Sequence, residues 1–284
     1  MKIQQLAPIN DALLVFGGCY SNLQALEALY NLAISLHIPP ERIICTGDVV
    51  GYCAQPEEVV QRVKNWGVHC IAGNVELQLR SGALDCGCDF RPGSRCDTFS
   101  QRWYPFAKKR LSPDSIAWME ELPDYLHFDF YDHPATVVHG DFGEVAGYVF
   151  QSTPWEVKQQ TFANTGSRII LAGHCGLPFA QQRESYHWLN AGVIGMPAND
   201  GTPRVWCMLL QKEDGEIRYR HIALEYDFLT AQRHMREQGL PEEYALTLST
   251  GIWDNCEILP DWETQQQGVS LLIDPVPSVG DEIR

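Results

Sequence analysis

The sequence lacks any run approaching the roughly 18 apolar residues that a membrane-spanning helix requires. The stretch from Met1 to Gly18 has no charged segment leading into a long apolar one, so no secretory leader is expected there. Leu13–Phe16 (LLVF) reads instead as a buried strand. Cations are scarce, with 21 Lys and Arg against 36 Asp and Glu and a formal net charge of −15. Such a chain repels the backbone of a long nucleic acid except at a local basic patch. A small anionic ligand held through a metal ion remains compatible with it. No internal repeat is visible, and 45% hydrophobic with 20% charged residues excludes disordered and fibrous classes for most of the chain.

Cysteine, by contrast, is plentiful at ten residues. Cys45 in IICTGD, Cys70 in HCIAGN and Cys207 in VWCMLL stand in apolar strand-like contexts, where a reduced cysteine behaves as a small hydrophobe. A reducing, cytoplasmic setting is the expectation.

The order of patterns indicates an α/β fold. Short apolar runs alternate with helical spacing through LLVF, LQALEALYNLAISL, RIICTGDVV, PEEVVQRVKNW and HCIAGN. Proline opens the helix at Pro56, and acids occupy its first turn. Residues 80–97, including CGCDFRPGSRC, interrupt this alternation as a Cys/Gly-rich loop. TFSQRWYPFAKKRL and SPDSIAWMEEL read as helices, the second capped by Ser112. YLHFDFYD, ATVVHGDF and RIILAGHCG read as strands, and YHWLNAGVIG, RVWCMLLQ and IRYRHIAL as the second sheet of a sandwich. Leu229 to Leu248 reads as two helices separated by GLP. The expected division is one domain over residues 1–252 and an acidic, proline-containing tail over 253–284 that drapes over the domain or moves.

Four polar residues, Asp48, Asn74, His139 and His174, each follow an apolar strand-like run, where open α/β sheets bind ligands. One carboxylate, one amide oxygen and two imidazoles suit a divalent ion such as Mn²⁺, Fe²⁺ or Zn²⁺. Any one of them alone reads as a hydrogen-bonded loop residue. Four at successive strand ends make a ligand set.

The strings carrying these residues resemble, in order, the motifs of the calcineurin-like metallophosphoesterase family. FGGCYSNLQAL stands where that family has SDxHGNxxAL, CTGDVVGY matches GDxxGY, IAGNVE matches GNHE, VVHGDF matches the VHG block and AGHCGLP matches GHTHxP. WLNAGVIGMP is similar to the family's NPGSVGxP segment, and the resemblance runs from about Leu13 to Leu248. It implies a four-layer αββα sandwich of two mixed sheets, and a metal-dependent phosphoester hydrolase acting on a phosphodiester or phosphomonoester.

The family holds two metals, and here only half of that site matches. The second-metal ligands are kept as Asp48, Asn74, His139 and His174. At first-metal positions stand Gly18, Tyr20 and Gly176, and the leaving-group histidine position is Val75. Two metals about 3.5–4 Å apart clamp both the attacking and the leaving oxygen, and a positioned general acid adds about 10²- to 10⁴-fold. The resemblance with these departures implies one divalent ion, with a second disfavoured unless Tyr20, Cys19 or a loop carboxylate recruits it. The ligand expected is a small phosphorylated molecule or phosphate, with hydrolysis weak or altered. The alternative is an inactive member serving as a phosphate- or nucleotide-binding or regulatory module.

Tyr20, Asn22, Cys19 and Cys175 are candidates to replace lost ligands or touch the ligand, although Tyr20 equally reads as filler of the volume an absent ion leaves, and both cysteines as structural. Cys86, Cys88 and Cys96, with Cys53 or a histidine, make a weak zinc pattern flanked by Asp85 and Asp89. Glu76, Asp141 and Glu144 are candidates to orient His139 or His174.

Overall fold

The computed structural model describes residues 1–88 and 90–271. Eleven strands lie within it: β1 (Ile3–Gln5), β2 (Leu13–Phe16), β3 (Ile43–Cys45), β4 (His69–Cys70), β5 (Tyr125–Phe130), β6 (His133–Val137), β7 (Ile169–Ala172), β8 (Pro178–Arg183), β9 (Tyr186–Ala191), β10 (Val205–Glu213) and β11 (Glu216–Leu224). The helices are α1 (Leu23–Ser35), α2 (Pro56–Trp66), α3 (Asn74–Ser81), α4 (Arg95–Arg110), α5 (Pro113–Glu121), α6 (Trp155–Thr165), α7 (Phe228–Glu237), α8 (Glu242–Thr250) and α9 (Asp261–Gln265). Among the described residues no helix is long and apolar enough to cross a membrane.

Strand alternation builds the layers. In β2, Leu13 and Val15 point between the sheets while Leu14 and Phe16 point toward helices. In β3, Ile44 points inward and Ile43 and Cys45 outward. A one-residue slip of either strand would exchange those faces, and each buried aliphatic side chain is worth about 1.5–3 kcal/mol, so the register is fixed by burial. The five-stranded sheet runs β11-β10-β2-β3-β4 and the six-stranded sheet β1-β5-β6-β7-β9-β8, each with parallel and antiparallel pairs. Leu13, Val15, Ile44 and Met208 meet Leu126, Phe128, Val137 and Leu171 between them.

Helices α1 and α2 cover the outer face of the five-stranded sheet through Leu26, Leu29, Val59, Val63 and their neighbours. Phe162 of α6 packs over the six-stranded sheet with Phe179, Trp188 and Leu259. The result is the expected four-layer αββα sandwich. Local signals act as read: Pro56 is the first residue of α2, and the Ser112 hydroxyl accepts from the Ser115 N–H at 3.1 Å at the start of α5.

Several readings need correction. The three late strands do not form one sheet: β9 pairs with β7 in the six-stranded sheet, whereas β10 and β11 extend the five-stranded one beside β2. The RIICTGDVV and HCIAGN segments hold strands of only three and two residues, because the chain turns off to build the site. Helix α3 occupies residues read as the end of a strand and the start of a loop, and α4 starts inside the 80–97 segment. Strands β1 and β8 and helix α6 were not legible as elements. Asp89 and residues 272–284 of the expected tail lie outside the described residues.

Candidate metal centre

Each of the four predicted ligands reaches one point from the end of a different strand. Asp48 follows β3, His139 follows β6, His174 follows β7, and Asn74 is the first residue of α3, just after β4. Asp48 (φ 56°) and His174 (φ 59°) both adopt the left-handed backbone region, which a non-glycine residue occupies at a cost of about 1–3 kcal/mol and which clusters at functional sites. Gly47 (φ 97°) lets the turn pass close beneath: a Cβ there would lie 2.6 Å from the Gly73 nitrogen and 2.8 Å from His139 Nδ1.

His139 lies at the centre. Its Nδ1 lies 2.7 Å from the Thr46 carbonyl oxygen, which makes Nδ1 the protonated nitrogen and leaves the Nε2 lone pair free. Nε2 is 3.1 Å from Asn74 Oδ1, 3.1 Å from His174 Nδ1 and 3.2 Å from Asp48 Oδ2. One nitrogen cannot make three hydrogen bonds to acceptors. Ligand atoms bound at about 2.0–2.2 Å with angles of 90–109°, however, lie about 2.8–3.6 Å apart, so these spacings match the edges of a coordination shell. The donor set of two nitrogens and two oxygens suits a divalent ion of borderline character. Asp48, His139 and His174 are the one such converging group of His, Cys, Asp and Glu among the described residues.

Charge couples Asp48 to the two histidines. All four residues are buried. Burial works to raise the Asp48 carboxyl, but the His139 imidazole outweighs it and holds Asp48 below its ordinary range. Burial works to depress His139, and the Asp48 carboxylate raises it on balance. His174 is pushed down to about 3 by burial and then by His139, so it stays neutral, as a ligand must. Among the described residues Asp48 has no Lys or Arg partner, and a buried carboxylate without one calls for a cation.

Supporting contacts differ from those expected. Glu76, fully buried, does not orient either histidine: its carboxylate accepts from the backbone N–H of Asp48 (2.8 Å), Val50 (3.1 Å) and Gly73 (2.9 Å), tying the two ligand-bearing turns together. Burial and the Asp48 charge push Glu76 up to about 7. Asp141 and Glu144 close their own turn, with Asp141 accepting from Phe142 N–H and the Thr161 hydroxyl, and neither supports His139 or His174. The Asn74 side chain is held by the Cys-rich loop, donating to the Cys86 carbonyl at 2.8 Å and Cys88 Sγ at 3.2 Å, which turns its oxygen toward His139. Cys86, Cys88 and Cys96 do not gather at a metal point, and Cys53 bonds the Gly195 carbonyl instead. Asp85 accepts from the Gly87 N–H.

Side chains occupy the space at the positions expected to have lost first-metal ligands. Tyr20 (φ 48°) lies in the space a side chain at position 18 would need: a Cβ on Gly18 would sit 2.6 Å from Tyr20 Cζ. Gly51 also presses on the ring and Gly195 on its stem, with Cβ positions 2.8 Å from Tyr20 Cδ1 and 2.5 Å from Tyr20 Cβ. Burial and the Asp48 charge raise the Tyr20 phenol well above its ordinary range. At Gly176 (φ 78°) the ring of Trp253 approaches to 3.4 Å of a Cβ position. Val75 is buried in the helix-side apolar cluster, and only its N–H meets Asp48, at 3.3 Å.

Asn22, a candidate ligand contact, is instead buried as the cap of α1 and donates to the Gly195 carbonyl at 3.2 Å. Cys19 is turned toward Cys45, away from the site. Cys175 and Tyr20 do line the cavity beside Asp48 and His174. Neither the aromatic walls of that cavity nor Trp253, from a segment read as tail, was found from sequence; Glu76 was singled out but for another role, its actual one following from its place three residues beyond a helix cap, where a glutamate reaches back to that turn.

Residues 20–214 match the sequence model of the calcineurin-like phosphoesterase superfamily domain. The chain belongs to that superfamily. An uncharacterized protein of Methanocaldococcus jannaschii is 22% identical over 252 residues, covering 82% of this chain and 96% of that protein. A metallophosphoesterase from Sphaerobacter thermophilus has a similar fold, with a TM-score of 0.65 at 20% identity over 86% of this chain and 100% of the other. A hypothetical protein of Pyrococcus horikoshii OT3 is similar with a TM-score of 0.71 at 18% identity, covering 87% and 100%. The superfamily is metal-dependent, and the Asp48, His139 and His174 group stands in this chain as a fitting donor set.

Proposed function

We propose that this superfamily member binds one divalent cation through Asp48, Asn74, His139 and His174 and holds a small phosphoester beside it, with hydrolysis slow or altered. The convergence of three ligand atoms on His139 Nε2 at 3.1–3.2 Å carries the reading. A divalent ion there would polarise a phosphoryl oxygen and lower the pKa of a bound water. The chain's own residues fix the rest: Thr46 sets the His139 tautomer, Cys86 and Cys88 aim Asn74, and Glu76 joins the turns. What slows turnover is the phenol of Tyr20 in place of a second ion and the apolar Val75 in place of a general acid. Losing the acid alone removes about 10²- to 10⁴-fold.

The test is metal content joined to turnover. Purified chain reconstituted with Mn²⁺, Zn²⁺ or Fe²⁺ is expected to hold one ion, and His139→Ala to lose it. A generic phosphodiester and a phosphomonoester are expected to be cleaved at least about a hundredfold more slowly than by a complete two-metal site. Two ions per chain would refute the single-ion reading. One ion with ligand binding and no turnover would make the protein a phosphate-sensing or regulatory module.

A further inference from the structure

The cavity beside the ligands has a composition that narrows what it can take. Tyr20, Tyr52, Phe90, Tyr148, Tyr244 and Trp253 line it, and no Lys or Arg does so among the described residues. The rings are locked by one another: Tyr52 meets Tyr20 edge-on at 4.7 Å and Tyr244 at 4.8 Å, and Tyr148 stacks on His174 at 4.4 Å. Trp253 is anchored by its indole N–H on the Pro197 carbonyl at 2.8 Å. Rigid rings accept a planar group at little entropic cost.

Charge balance adds a second constraint. One divalent ion is already offset by the Asp48 carboxylate and the Glu76 carboxylate that accepts from the Asp48 N–H, since Asn74 and both imidazoles are neutral ligands. Asp254 at the rim adds nothing, because Arg95 donates to it at 2.7 Å. Arg95 is in turn shared with Glu243 at 3.6 Å, so it is not a spare cation. With no Lys or Arg at the walls, each further negative charge is uncompensated there, and a dianionic phosphomonoester brings two where a diester brings one.

Resting on the single-cation reading above, we infer that the cavity selects a monoanionic phosphodiester bearing a planar aromatic substituent, with the phosphate toward the ion and the planar group among Tyr148, Phe90 and Trp253. Phosphomonoesters and diesters without a ring are disfavoured, the first by charge and the second by lost stacking.

Isothermal titration of the full Mn²⁺-loaded chain tests this at about pH 8, where a monoester carries two charges. The probes are the para-nitrophenyl diester of thymidine monophosphate, para-nitrophenyl phosphate and dimethyl phosphate. The aromatic diester is expected to bind at least about tenfold more tightly than either other probe. Trp253→Ala should remove about tenfold of that affinity and leave dimethyl phosphate unchanged, and Phe90→Ala, on a partly exposed loop, should act in the same direction. Equal affinity for the monoester would overturn the charge argument, and equal affinity for dimethyl phosphate the stacking argument. Manganese uptake is measured first on the same preparation: uptake with either of those results sinks this inference alone, while no uptake sinks the single-cation reading with it.

Discussion

Gly18→Asp alone is expected to destabilise the protein by about 3–5 kcal/mol and to recruit no second ion, whereas Gly18→Asp with Tyr20→His is expected to recover most of that loss when Mn²⁺ is present. The single change forces a carboxylate into the volume of the Tyr20 ring, 2.6 Å from Cζ at its first carbon, and buries its charge unpaired. The double change removes the ring and supplies an imidazole, so the same carboxylate gains a partner and a route to an ion. Urea unfolding with and without Mn²⁺, together with ion counting, checks the cycle. The second ion should bind more weakly than the first, because Gly176 still offers no side chain and Trp253 closes on it. A stable single Gly18→Asp variant holding two ions would show that Tyr20 is no obstacle.

Glu76→Ala is the second large effect. It leaves three buried backbone N–H groups, of Asp48, Val50 and Gly73, without their acceptor. Each unpaired buried donor costs about 1–3 kcal/mol, and partial relaxation brings the expected total to about 3–5 kcal/mol. Metal affinity should fall as well, by about 10- to 100-fold, because the turns that aim Asp48 and Asn74 come apart. Glu76→Gln should be only partly corrective, since one of its two terminal atoms is a donor facing donors. Thermal unfolding and Mn²⁺ titration of both variants give the comparison. An alanine variant with unchanged melting temperature and metal affinity would remove Glu76 from the support of the site.

The sequence made the ligand set legible for a physical reason. Asp48, His139 and His174 each end an apolar run, and strands that bury both faces must stop where a polar residue begins. What sequence order does not encode is which runs lie side by side. β6 and β7 are parallel neighbours, so His139 and His174, far apart in the chain, fall 3.1 Å from each other. β9 and β10 follow each other in sequence yet enter different sheets. Helix α3 escaped notice because Asn74 does two jobs, opening a helix and presenting its amide. Trp253 escaped because its place against Gly176 depends on the route of the chain after α8, and no local pattern states that route. Tyr20 was visible as a replacement, but not that glycines at 18 and 51 leave the room its ring takes up.

The position of Trp253 also sets an order in time. Asp48, Asn74, His139 and His174 are all made before the β10–β11 hairpin that widens one sheet and before the indole that walls the cavity. During synthesis the residues of the candidate metal centre therefore precede the wall beside them, and a chain ended just before Trp253 would keep all four while lacking that wall.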